Sequence, residues 1–425
     1  MRREVLATPW AAARVRPARG LGLVVLAVLV LGISGGLLWT LGINYEGLSG
    51  SAAHKIHPAT YLTVALLGLA MLRAGNPVAY LARVGAARPA SVFICAAGIA
   101  LLLHIMLRKG AGMAGSLDTF LLPGLLAMLL ADADETTFRR LETVVHAVMV
   151  ANALLGLVEF ATGQRFFPFR VDGVAFETDT RSAALQGHPL GNATLTACYL
   201  AALMAGGGTL PPLSRLAMIG LQFAALITFG GRSALVVSVL VVGGRGLVLL
   251  HRMLLRGRVP LLAAAAMALA LPLVPIAIAG LAHAGFFDAL LDRFREDGGS
   301  AHSRVEMFTL FAALPLRDLI FGPDTSLVDS LRRINGLEWG IENPIVRTLL
   351  YQGILMTALL VAAVALYLRE VARHCRAGTA LPILVFAALV NTFESLGSKT
   401  TLLAKFAILL LVLFHPFHPE GRRRP

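Results

Sequence analysis

Charge is scarce in this sequence. Asp, Glu, Lys and Arg make up 14% of its 425 residues, against about a quarter in a soluble domain. With 57% hydrophobic residues and a mean hydropathy of +0.76, an integral membrane protein is expected and a water-soluble globule is excluded. Cysteine is scarcer still. Cys95, Cys198 and Cys375 are all there are, and their spacing fits neither a disulfide framework nor a metal site. Lysine is rare beside arginine. Internal repeats and low-complexity tracts are missing. So is any basic face interleaved with aromatics, which excludes a nucleic-acid reader. The net charge of +13 comes largely from short loops between apolar runs, where basic residues set topology.

What is present is a series of apolar runs. A transmembrane helix needs about 20 such residues. Twelve runs fit, near 21–41, 59–73, 90–107, 117–131, 143–161, 189–206, 213–230, 233–250, 259–283, 344–368, 380–393 and 401–416; those at 117–131 and 380–393 are short. The first is too long for a cleaved signal core and reads as the first span. Arg2, Arg3, Arg14, Arg16 and Arg19 flank it, and Arg422, Arg423 and Arg424 end the sequence. The basic bias puts both termini in the cytoplasm, which an even number of spans satisfies. Loops with Arg73/Arg83/Arg88, Arg139/Arg140, Arg245/Arg252/Arg256/Arg258 and Arg369/Arg373/Arg376 then fall on that side too, and Arg108–Lys109 is the exception. The expectation is an all-α polytopic membrane protein of about twelve helices. Residues 1–425 form one integral membrane domain, with a large, partly helical periplasmic loop at 284–343 between spans nine and ten. No pair of interrupted spans recurs in the two halves, as an inverted-repeat transporter would require.

Three segments on the other side break the positive-inside pattern. Residues 162–188 carry Arg165, Arg170, Arg181 and His188, and a tight turn carries Arg232. The 284–343 stretch and its edge carry Arg293, Arg295, His302, Arg304, Arg317, Arg332, Arg333 and Arg347. Topology opposes these charges, so another requirement keeps them. Arginine offers phosphate a planar bidentate fork and never deprotonates, and a membrane setting suggests a lipid-linked phosphate or diphosphate. Arg293, Arg295, Arg332 and Arg333 lie among Asp292, Glu296, Asp297, Asp329 and Glu338 and read as solvated surface charges, since exposed pairs contribute little. Arg181, Arg232, Arg304 and Arg347 adjoin spans or short motifs and are the stronger site candidates. His188 precedes a proline at a helix start, where a cap and a chemical role are both open. Asp324, Asp329, Glu338 and Glu342 lack the tight oxygen-ligand spacing of a divalent-cation site, so no metal is expected.

Four segments appear in order: "RSAALQGHPLGNA" (Arg181–Ala193), "TFGGRSALVV" (Thr228–Val237), "SRVEMFTLFAALPLRDLIFGPDTS" (Ser303–Ser326) and "ENPIVRTLLYQGIL" (Glu342–Leu355). Together they resemble the Wzy/WaaL superfamily of O-antigen polymerases and ligases, and within it the exopolysaccharide polymerase branch (VpsF-like). Arg232 matches the arginine of the family's T-x-S-R-x-A element. Arg304 and Gly322 match its third element, and Asn343 and Gly353 its fourth. Two positions depart: Glu342 stands where the ligases have a proposed histidine base, and Gly231 where the family has serine.

The resemblance implies glycosyl transfer without a cofactor or metal. Undecaprenyl-diphosphate-linked oligosaccharide repeat units would be polymerised into exopolysaccharide or O-antigen at the outer face of a bacterial inner membrane. Arg232, Arg304 and Arg181, with Arg347 next, would clamp the diphosphate. Glu342 or His302, with His188 behind them, would take the proton of the incoming hydroxyl. Partners would be the lipid-linked substrate, membrane lipid and a chain-length regulator, and no nucleic acid. A ligase would differ only in its acceptor. A flippase or transporter would want charge inside the spans, where only Glu159 and Lys405 stand near. A non-catalytic scaffold would tolerate loss of the outer arginines.

Overall fold

The computed structural model describes residues 17–255 apart from 48, 109, 111 and 176–180, a few positions between 272 and 291, and residues 300–416 apart from 338 and 339. The run expected at 259–283 falls almost wholly outside these residues. Arg293, Arg295, Glu338 and most of the terminal arginines lie outside them as well.

Among the described residues the fold is all-α apart from one two-stranded hairpin. Eleven helices lie among the described residues of 17–255: α1 (Pro17–Gly32), α2 (Gly35–Thr40), α3 (Pro58–Arg73), α4 (Pro77–Ala87), α5 (Pro89–Leu107), α6 (Met113–Ser116), α7 (Leu122–Leu130), α8 (Glu135–Thr162), α9 (Pro189–Met204), α10 (Pro212–Phe229) and α11 (Arg232–Leu255). Six follow: α12 (Ser300–Thr309), α13 (Leu316–Phe321), α14 (Thr325–Ile334), α15 (Pro344–Arg373), α16 (Ala380–Val390) and α17 (Leu402–Leu413). Lipid offers no hydrogen bonds to a backbone, so apolar runs satisfy themselves as helices. Among the described residues, six segments are long and apolar enough to cross a membrane: α5, α6 through α7, α8, α10, α11 and α15. The bent pair α3–α4 makes a seventh if it counts as one span.

Several expected runs come out differently. The run at 59–73 ends in a 119° bend into α4, because Gly75 takes φ +75° and Asn76 caps α4 by accepting from Ala79 N. The short run at 117–131 lengthens to Met113–Leu130 through a π-helical turn, Leu117–Leu121. Asp118 lies within that turn. Its carboxylate is 1% exposed and accepts from Tyr45 Oη, Thr60 Oγ1 and His57 N. The run at 344–368 extends to Arg373 and is broken at Gly353 (φ 85°, ψ 170°). Arg108 donates to Tyr351 O, beside that break, at 2.7 Å, and also to Pro323 O. Arg108, of the exceptional Arg108–Lys109 pair, thus holds the kink and the loop beside it.

α17 is the centre of the bundle. Every residue from Leu402 to Leu413 is buried, packed against α7, α8, α9 and α15. Phe406 stacks on Phe386 of α16 at 4.1 Å. Helices in lipid gain little from apolar contact and rely on close packing and polar ties. At Gly156 of α8 an added Cβ would stand 2.9 Å from Phe229 Cζ of α10, so glycine lets those helices touch. Gln222 of α10 donates to Met149 O of α8 at 3.0 Å.

The helix ends form two layers. At one, Arg376 donates to Gly206 O and Gly208 O, and Gly208 N to Leu413 O. Arg83 pairs with Asp132 at 3.0 Å, and Glu370 accepts from Ala90 N and Ser91 N. The other layer holds the loops after α1, α8, α10 and α16. It includes the hairpin β1 (Arg170–Val171) with β2 (Val174–Ala175). Asp172 and Gly173 both take positive φ there, the geometry of a type I′ turn. Helices α12 to α14 enclose a small second core of Met307, Leu310, Leu319 and Val328 against Val346 and Leu350 of α15.

Candidate functional site

The second layer is where the arginine-bearing segments meet. The stretch after Arg181 is held from below by α8. Glu159, 2% exposed, accepts from Ala183 N (2.7 Å) and Ala184 N (2.8 Å) with one oxygen and from Phe166 N (2.9 Å) with the other. Ser182 Oγ donates to Gly156 O, and Asn152 Oδ1 accepts from Leu185 N. Asn192, on the first turn of α9, donates to Ala183 O and accepts from Asn152 Nδ2. Glu159 therefore anchors a loop.

The same stretch reaches the Arg232 turn. Ser182 N donates to Thr228 O at 3.2 Å, on the last turn of α10. Gly230 ends that helix with φ +64°. At Gly231 an added Cβ would stand 2.6 Å from Ala193 Cβ, so the start of α11 lies directly on α9. Arg232 follows as the first residue of α11 and is half-buried. Arg181 and Arg232, 51 positions apart in sequence, thus share one corner.

A second corner adjoins it. His188 begins α9, and its side chain makes no cap hydrogen bond. Its ring lies edge-on to Phe169 at 5.6 Å and stacks on Phe393 at 6.2 Å. The residue after Phe393 is Glu394, which pairs with Arg347. Arg347 also lies over the Tyr351 ring, 5.4 Å from its centroid. Asn343 caps α15 by accepting from Ile345 N and Val346 N, and it donates to Asn391 O at 3.4 Å. The 391–397 segment thus joins His188 to Asn343 and Arg347. Glu342 stands half-buried beside that cap.

The structure therefore brings Arg181, Arg232, His188, Glu342 and Arg347 to one end of the bundle. Arg347, the further candidate for the diphosphate clamp, arrives paired with Glu394. For His302 and Arg304 only the backbone, in α12, is among the described features; their side chains lie outside them. Asp324 caps α14 by accepting from Ser326 N, which holds its carboxyl below the usual range. Asp329 accepts from Tyr351 Oη at 2.5 Å and lies 3.8 Å from Arg332. Glu394 was not legible as a site residue, because its partner lies 47 positions earlier and no local spacing marks it. No protein-family model, curated protein or solved structure matches the chain.

Proposed function

We propose that this protein is a metal-independent glycosyltransferase of about twelve spans that polymerises undecaprenyl-diphosphate-linked oligosaccharides into exopolysaccharide or O-antigen. It works at the outer face of a bacterial inner membrane, with both termini cytoplasmic. One observation carries this reading: basic residues from separate segments, which topology gives no reason to keep, gather at one end of an apolar bundle. Their order resembles the Wzy/WaaL pattern.

In this reading a sugar hydroxyl of one chain attacks the anomeric carbon of another. The bond from that carbon to the diphosphate oxygen breaks, and the lipid diphosphate leaves. Arg181 and Arg232 stabilise the charge that develops on the leaving oxygen, where fixed cations away from water act most strongly; Arg304 completes the clamp. Glu342 takes the proton of the hydroxyl, with His302 and His188 as the other candidate bases. Glu394 orients Arg347 at the rim. A ligase that hands the glycan to another acceptor would use the same corner.

The test is Arg232→Ala in the native host, at confirmed normal protein level. Extracellular polymer should vanish while single lipid-linked repeat units accumulate. Polymer of unchanged amount and length would refute the clamp. Units accumulating on the cytoplasmic leaflet alone would replace the proposal with a flippase.

A further inference from the structure

One residue marks the level of the membrane. α5 is an apolar helix of 19 residues between Arg88 and Arg108. A helix of that length rises about 28 Å, close to the hydrocarbon thickness of about 30 Å. Arg108 therefore stands at one boundary of the hydrocarbon, on the side of the corners described above. α15 gives the same level independently. From Gly353, beside Arg108's partner Tyr351, to Arg369 near its other end, it rises about 24 Å. Tilting either helix brings these residues deeper.

Parts of the 300–343 region are tied to that boundary. Arg108 donates to Pro323 O. A Cβ on Gly322 would stand 2.9 Å from Arg108 Cζ, and one on Gly353 would stand 2.8 Å from Ile320 O. The end of α13 is therefore at the boundary itself. Asp329 of α14 accepts from Tyr351 Oη at 2.5 Å, which keeps α14 within one side chain of the same level.

Both helices turn apolar side chains outward there. Leu319 of α13 packs into the small core. Leu316 and Phe321 are 70% and 61% exposed, and Arg317, exposed as well, lies between them around the helix. In α14, Leu327, Val328, Leu331 and Ile334 form one stripe at helical spacing. Val328 and Leu331 pack inward, while Leu327 is exposed and Ile334 is 80% exposed. Large apolar side chains grouped in this way mark a contact surface. The surface continues onto the spans, since Leu107 before Arg108 and Leu355 after Gly353 are both exposed.

We infer that α13 and α14 lie in the interfacial zone of the leaflet at that end of the bundle, with Leu316, Phe321, Leu327 and Ile334 among its lipid chains. Arg317 lays its stem along Leu316 and Phe321 and carries its charge to the level of the lipid phosphates. Lipid is the occupant because the face sits at the hydrocarbon boundary and is continuous with the lipid-facing sides of α5 and α15. The two helices are thus an in-plane part of the membrane domain and do not stand in water above it. This holds whatever reaction the neighbouring corners perform.

The test is nitroxide labelling of the full-length protein in phosphatidylcholine–phosphatidylglycerol nanodiscs, with Cys95, Cys198 and Cys375 replaced by alanine. Phe321→Cys and Ile334→Cys are the test sites. Leu355→Cys is the lipid-facing reference, and Ser326→Cys, exposed on the polar face of α14, is the aqueous one. Power saturation compares collisions with oxygen, which concentrates in lipid, and with a water-soluble nickel chelate. Labels at 321 and 334 should meet oxygen several-fold more than nickel, as at 355, and the label at 326 should show the reverse. Nickel access at 321 and 334 equal to that at 326 overturns the inference. So does exclusion of both reagents, which would mean that another part of the chain covers the face. A second readout leaves the cysteines in place. A phospholipid with a photoreactive diazirine on its acyl chain should label wild-type peptides holding 316–321 and 327–334. Label on α5 peptides with none on these also overturns it.

Discussion

Glu159→Ala would test whether one buried carboxylate holds the Arg181 corner. Glu159 accepts three backbone N–H groups, from Phe166, Ala183 and Ala184, at 2.7 to 2.9 Å. A hydrogen bond to a charged group contributes about 1.5–3 kcal/mol, and a buried donor left unmatched costs about 1–3 kcal/mol. Truncation strands three donors at once. Water entering the vacated space offsets part of this, which leaves a local cost of about 4 kcal/mol. At about 1.4 kcal/mol per factor of ten, amide exchange at Ala183 and Ala184 should quicken by about a thousandfold. Glu159→Gln behaves differently. Its one carbonyl oxygen can still serve Ala183 and Ala184, but its amide N–H₂ then faces Phe166 N–H. The loss should concentrate at Phe166, at about 2 kcal/mol, with exchange about thirtyfold faster there. Hydrogen exchange read by mass spectrometry over peptides spanning 160–190 separates the two variants. Polymer yield should fall in Glu159→Ala, because Arg181 loses its support. Wild-type exchange at Ala183 and Ala184 in Glu159→Ala would refute the anchoring role.

Three further outcomes are expected. Gly353→Ala places a Cβ against Gly322 N and 2.8 Å from Ile320 O, at φ 85°. Strain and overpacking of about 1–3 kcal/mol each should lower the unfolding midpoint by roughly 4 °C, while Gly220→Ala, with nothing within 4 Å, should leave it unchanged or slightly raised; equal midpoints for the two would contradict the kink. Gly231→Ala should separate α11 from α9 and cut polymer yield. The double variant Gly231→Ala with Ala193→Gly should recover it, and a fully active single variant counts against the close approach. Burial pushes the Glu46 carboxyl up from 4.5 to about 7, against the pull of Lys399. The folded state therefore holds that proton more tightly than the unfolded chain. Stability is full below about pH 4.5 and declines by about 3 kcal/mol as pH rises to about 7. Glu46→Gln should flatten that decline in midpoints measured from pH 4.5 to 7.5, and an unchanged slope would show that other groups cause it.

The sequence by itself determined the class of this protein and the form of its elements. Apolar runs in lipid must close their own hydrogen bonds, so helices followed from composition over most of the described chain. It also marked the arginines that topology could not explain, since that argument needs only their position relative to apolar runs. Where it went astray, polar groups were satisfied by distant partners. Asp118 is buried against Tyr45, His57 and Thr60, so a charge near the start of a short apolar run is held inside the bundle. Arg108 holds Tyr351 O and Pro323 O, so a topological exception became a support for the Gly353 break. Only tertiary structure placed Arg181 beside Arg232, set Glu394 against Arg347 and turned Glu159 into a loop anchor. Each of these pairings joins residues about 20 to 50 positions apart. The reason is physical: a side chain's apolar or charged character is local, but whether its charge is opposed depends on which helix ends the packing brings together.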